Sequence, residues 1–75
     1  MTTKMNVFIK IPGRIDSKKL YDGIKCYHAN VTDLGVKTLV YVTIDVREPV
    51  IEYILQTCYK YGGADIKVDA KMVVE

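Results

Sequence analysis

The run Lys37-Thr-Leu-Val-Tyr-Val-Thr-Ile-Asp45 decides the fold. Most of its positions are β-branched or aromatic, the residue types that suit a pleated, half-buried strand. Successive side chains of a strand point to opposite faces. Val40, Val42 and Ile44 therefore form one row, and Leu39, Tyr41 and Thr43 the other. The first row is aliphatic throughout and belongs to a core. The second combines a ring, a hydroxyl and an aliphatic side chain, and is expected on a face that meets something else.

The rest of the chain arranges itself around this strand. Just before it, Asp33-Leu34-Gly35 is a tight connection with a glycine free to adopt positive φ, the mark of a hairpin. The paired strand is expected over Lys25–Thr32, with Tyr27, Ala29 and Val31 on one face and Cys26, His28 and Asn30 on the other. After it, Glu48 and Pro49 suit the first turn of a helix. That helix is expected to run to about Tyr61, with Val50, Ile51, Ile54, Leu55 and Cys58 on one broad apolar stripe, and to stop at Gly62-Gly63.

Toward the N-terminus, Met5–Ile11 alternates, with Val7, Ile9 and Ile11 on one side and Phe8 and Lys10 on the other. Residues 1–4 read as a disordered start. Pro12-Gly13 breaks this strand. Asp16 or Ser17 offers an N-cap to a short helix carrying Leu20 and Ile24, which Gly23 is expected to end. The last strand is expected over Asp65–Val74, with Ile66, Val68, Ala70 and Met72 inward and Lys67, Asp69 and Lys71 outward.

Strand, helix, strand, strand, helix, strand is the α+β ferredoxin-like βαββαβ order, a four-stranded antiparallel sheet with two helices on one face. Its first and third strands are central neighbours, which sets Phe8 beside Tyr41 on the open face. The 75 residues make a single small domain, without internal repeat or linker. About half of them are apolar and both charge signs are mixed, as in globular rather than disordered chains. No apolar run approaches the roughly 18 residues a membrane helix needs. With no signal segment at the start, no membrane partner is expected, and the default location is the cytoplasm.

A net charge of +2 does not select nucleic acid by itself. Cys26 and Cys58 lack the second pair or nearby histidines of a zinc signature, and read as two reduced thiols with Cys58 buried on a helix. Cys26 and His28 could be imagined as nucleophile and base, but no surrounding motif supplies a catalytic context. Gly62-Gly63 closes a helix, whereas a phosphate cradle opens one. No enzyme, no cofactor and no metal are expected.

Val7-Phe8-Ile9 and Lys37–Ile44 resemble the two short motifs of an RNA recognition motif. The first is similar to that family's apolar-aromatic-apolar triplet. The second keeps the basic first position, the aromatic fifth and the valine after it. It departs at Thr38 and Val40, where the family favours glycine, and at Leu39, where a stacking ring is usual. The resemblance implies that Phe8 and Tyr41 stack on bases of single-stranded RNA or DNA. It further implies that Lys37, Lys10 and Lys67 meet phosphate or sugar, and that His28 and Asn30 read base edges beside Leu39 and Thr43.

Ile11-Pro12-Gly13-Arg14-Ile15 is similar to the loop after the first strand of ACT domains, and Asn30-Val31 stands at about that family's spacing for Asn-Ile. This second resemblance implies a small effector bound at Gly13 and Asn30. Lys10 stands where an aspartate is common in that family. A third reading needs no family: Phe8, Leu39 and Tyr41 form an apolar patch suited to another protein or a second copy, making a homodimer. All three readings describe a binding domain.

Overall fold

The structure is a computed structural model describing residues 3–47, 49–63 and 65–73. Alternation builds its centre. Strand β1 (Lys4–Pro12) buries Val7, Ile9 and Ile11 and exposes Phe8 and Lys10, and β3 (Lys37–Asp45) buries Thr38, Val40, Val42 and Ile44. The two pair antiparallel over nine residues, Lys4 opposite Asp45 and Pro12 opposite Lys37. Strand β2 (Asn30–Asp33) flanks β3 and β4 (Lys67–Val73) flanks β1, giving the antiparallel order β2-β3-β1-β4. Helices α1 (Ser17–Ile24) and α2 (Val50–Gly62) bring Leu20, Ile24, Ile54 and Cys58 onto the aliphatic rows of β1 and β3. This is the expected ferredoxin-like α+β arrangement.

Local chemistry sets the element ends. Asp16 caps α1 by accepting from the Lys19 amide at 3.2 Å. The hairpin before β3 turns at Gly35 (φ 84°), where Asp33 accepts from the Gly35 amide at 2.8 Å and from the Ser17 hydroxyl at 2.9 Å. These two bonds hold the Asp33 carboxyl below the usual carboxylate range, the Gly35 amide first and Ser17 second. β1 begins at Lys4, inside the stretch read as a disordered start, and the Thr3 carbonyl accepts from the Val46 amide. Pro49 caps α2; Glu48 and Val74, named above as parts of α2 and the last strand, lie outside the described residues.

Three expectations change. Gly23 does not end α1. The helix passes through it and tightens into a 3-10 turn at Lys25–Tyr27, because Gly23 is where α1 and α2 approach; a Cβ there would stand 3.0 Å from the Thr57 methyl. The second strand is correspondingly shorter than Lys25–Thr32. Cys26 falls in the 3-10 turn, and His28 takes a left-handed conformation (φ 61°) that closes it, its amide donating to the Lys25 carbonyl. Third, the apolar row of β4 lies on the helix side, as its pairing with Val7 and Ile9 requires, but it is not buried: Val68 is 44% and Met72 58% exposed.

The position of α2 explains that exposure. Gly62 leaves no room for a Cβ against the Ile11 side chain, which holds the end of α2 over β1. On the other flank Thr57 meets Gly23, and Tyr53 stacks on Tyr27 with centroids 6.5 Å apart and planes 7° from parallel. These contacts draw α2 toward α1 and leave β4 uncovered.

Candidate nucleic-acid interface on the open sheet face

The strand registers lay out the open face row by row. Asn30, Tyr41, Phe8 and Asp69 cross the four strands in one row. Thr32, Leu39, Lys10 and Lys67 form the next row, and Thr43, Asn6 and Lys71 the row on the other side. Asp45 opposite Lys4 closes one end, and Lys37 opposite Pro12 the other.

The central row carries the rings. Phe8 is 53% exposed and Tyr41 half-buried, with centroids 4.5 Å apart and planes tilted by 48°. A ring that folding places at the middle of a strand yet leaves half in water has an apolar face to offer. Thr43 donates to the Asn6 Oδ1 at 2.7 Å and lies 3.5 Å from the Tyr41 hydroxyl, so the row beside the rings is tied down.

Five lysines (Lys4, Lys10, Lys37, Lys67 and Lys71) stand on this face against Asp45 and Asp69 of its strands and Asp65 beside Lys10 and Lys67. Asp45 is engaged already. Arg47 reaches it at 3.2 Å, and bonds from the Arg47 side chain, then its amide, hold the carboxyl below the usual range. Among the described residues, none of the five lysines is in an ion pair. Lys10 and Lys67 are direct cross-strand partners, and like charges so placed repel. A cavity of about 150 Å³ opens between them, lined also by Pro12 and Asp65.

The residues anticipated from the sequence divide accordingly. Phe8, Lys10, Asn30, Leu39, Tyr41, Thr43 and Lys67 share the face in adjacent rows, and Lys37 stands at its end. His28 leaves the face, because it caps the 3-10 turn instead of continuing β2. It lines a cavity of about 310 Å³ at the end of the sheet, with Lys4, Cys26, Thr43 and Asp45 on its walls. No hydrogen bond joins Cys26 to His28 there among the described residues, and the same residues hold no cluster of three metal-ligating side chains. Gly13 (φ 84°) lies beyond Pro12, while Asn30 pairs with Tyr41, four residues along β3 from Lys37. At about 3.3 Å per residue the two effector positions stand more than ~13 Å apart along the strand direction, and neither cavity contains them.

Asn6, Thr32 and Lys4 also belong to the face, and were not singled out from the sequence. Strand alternation places Asn6 and Lys4 on the side of Phe8, so the signal was present; Thr32 needed the β2 register.

Among the described residues no helix is long and apolar enough to cross a membrane. The fold and this face define a small ferredoxin-like domain with an aromatic, lysine-edged sheet surface. Comparison with family models, with curated proteins and with solved structures finds no match to this chain.

Proposed function

We propose that this is a non-enzymatic binding domain that takes single-stranded RNA or DNA on its open sheet face. The observation carrying the reading is the pairing of exposed Phe8 with half-buried Tyr41 at the centre of a face whose lysines, among the described residues, have no ion-pair partner. A base stacks on a ring whatever its identity, a contact worth roughly 1–3 kcal/mol per base in single-strand binders. Lys10 and Lys67 stand one row away, about 7 Å along the strands, where the backbone of a stacked nucleotide would run. A phosphate there meets two cations whose mutual repulsion it relieves, opposed by Asp65 on the same cavity wall. The excess of two positive charges on the face, five lysines less three aspartates, is modest and implies weak, salt-sensitive binding.

Fluorescence anisotropy with a labelled ten-nucleotide oligo-U or oligo-T at low and moderate salt tests this. Phe8→Ala and Tyr41→Ala should each weaken binding about five- to a hundredfold with little change in thermal stability. For three phosphates neutralised, the logarithm of affinity should fall against that of salt with a slope of about −2. Absence of binding at low salt overturns the reading.

A further inference from the structure

We infer that two copies of this chain join edge to edge through β4, extending the two four-stranded sheets into one antiparallel sheet. The edge used lies at the border of the open face, away from Phe8 and Tyr41, and Asp69 and Lys71 of that face flank the seam. Among the described residues no strand lies beyond β4, so its outer edge presents unpaired amides and carbonyls along seven residues. The other edge strand, β2, spans four residues, one of the ways proteins blunt an edge. β4 is longer and, of the usual protections, carries only charged side chains on one of its faces. It contains no proline, and its charges at Lys67, Asp69 and Lys71 all lie on the open face, none pointing to the helix side.

The sequence of β4 is also self-complementary. Antiparallel pairing about a two-fold axis sets residues of one face opposite each other, so the axis passes through a residue. Ala70 is the middle of Lys67–Val73, and an axis there uses the whole strand. It places Asp69 against Lys71 of the second copy and, by symmetry, Lys71 against Asp69 of the second copy. On the helix side it sets Val68 against Met72 of the second copy. An axis on Asp69 opposes like aspartates, and one on Lys71 opposes like lysines. An axis on Val68 would set Lys67 against Asp69 but would pair only three residues of β4, whereas the Ala70 register pairs all seven and opposes Asp69 to Lys71 twice.

The same register covers the exposed apolar row. Val68 and Met72 are 44% and 58% exposed, and helical spacing puts partly buried Ile51 and Leu55 on the flank of α2 that carries Gly62, opposite the Tyr53–Thr57 flank that meets α1. Bringing up a second copy's β4 and α2 places an equal apolar row alongside, so this surface is withdrawn from water in both chains.

Light scattering and sedimentation of the full chain test the inference through charge reversal. The wild type should be dimeric at about 100 µM. Asp69→Lys and Lys71→Asp each create two like-charge pairs per dimer and should lower the association constant roughly ten- to a hundredfold. The double variant Asp69→Lys/Lys71→Asp should pair again, and an equimolar mixture of the two single variants should form a heterodimer. Circular dichroism of each variant checks that these exposed substitutions leave the fold intact. A wild type that stays monomeric to about 1 mM overturns the inference, as does a dimer indifferent to both single reversals. Loss of pairing in the double variant and in the mixture counts against the Ala70 register. Oligonucleotide binding is a separate readout, so failure here leaves the open-face reading standing or falling by its own experiment.

Discussion

Ile44 and Met72 flank the same residue, Met5, in one cross-strand row on the helix side of the sheet. Ile44 is 6% exposed and Met72 58%. The pattern repeats along the strand: Ile9 lies between buried Val40 and exposed Val68, and Val7 between buried Val42 and exposed Ala70. β3 and β4 carry the same alternation and face the same way. What separates them is the layer above. Alternation tells which side of a sheet a residue points to, and the helix layer decides whether that side is dry.

The largest expected effect follows directly. Ile44→Ala removes buried carbons from the core and should cost about 2–5 kcal/mol. Met72→Ala removes carbons already largely in water and should cost less than about 1 kcal/mol, measured by urea denaturation at concentrations where the chain is monomeric. Equal losses would break the comparison, because they would mean that β4 is covered within one chain.

That contrast also marks how far the sequence reaches. The aliphatic rows of β1 and β3 follow from period-two alternation, a property of the backbone independent of tertiary context, and the strand order and the meeting of Phe8 with Tyr41 follow once the βαββαβ element order and its crossovers are added. So do the lysines of the face. Two other features depend on close approach between elements, and alternation says nothing of them. Gly23 looked like a helix end, as glycine weakens helices, yet it serves as the seat of Thr57, a role visible once α2 is in place. His28 looked like a strand residue two before Asn30, but the helix running on past Gly23 consumed Lys25–Tyr27 and left His28 to close the turn in a left-handed conformation that histidine tolerates. The reach of α2 toward α1, and hence the bare row of β4, came from the same contacts.

Gly62 gives a sharper test of why the two strands differ. A methyl group at this position runs into Ile11 and stands 3.2 Å from the Ile66 Cγ2, so α2 must lift from β1 or Ile11 must move. Overpacking of this kind costs about 1–3 kcal/mol, and a helical alanine recovers roughly 0.5–1 kcal/mol. Because the methyl would sit well inside contact distance of Ile11, the upper half of that cost applies, and Gly62→Ala should destabilise by about 1–2.5 kcal/mol in urea denaturation. The Gly23→Ala change meets one methyl at 3.0 Å at the end of a threonine side chain, and should be closer to neutral. A neutral Gly62→Ala would show that α2 slides freely over the sheet, and the uncovered row of β4 would then have no fixed cause.

The smallest effect concerns the two thiols, which repeat the contrast between covered and bare. Cys58 is buried beneath α2 and Cys26 is exposed, and both are free. Burial pushes the Cys58 thiol from 9.0 up to about 11, because the thiolate would lose its water. The folded value lies above the unfolded one, so the neutral thiol's contribution to stability is complete below about pH 9 and is lost as pH rises through 11. Wild type should lose stability more steeply between pH 9 and 11 than Cys58→Ala, the comparison cancelling the tyrosines and lysines that titrate alongside. At pH 8 a disulfide reagent such as dithiobis-nitrobenzoate should react with Cys26 at once and with Cys58 at the rate of opening. Two fast thiols would mean that α2 leaves the sheet readily, and the covered side of the comparison would be no drier than β4.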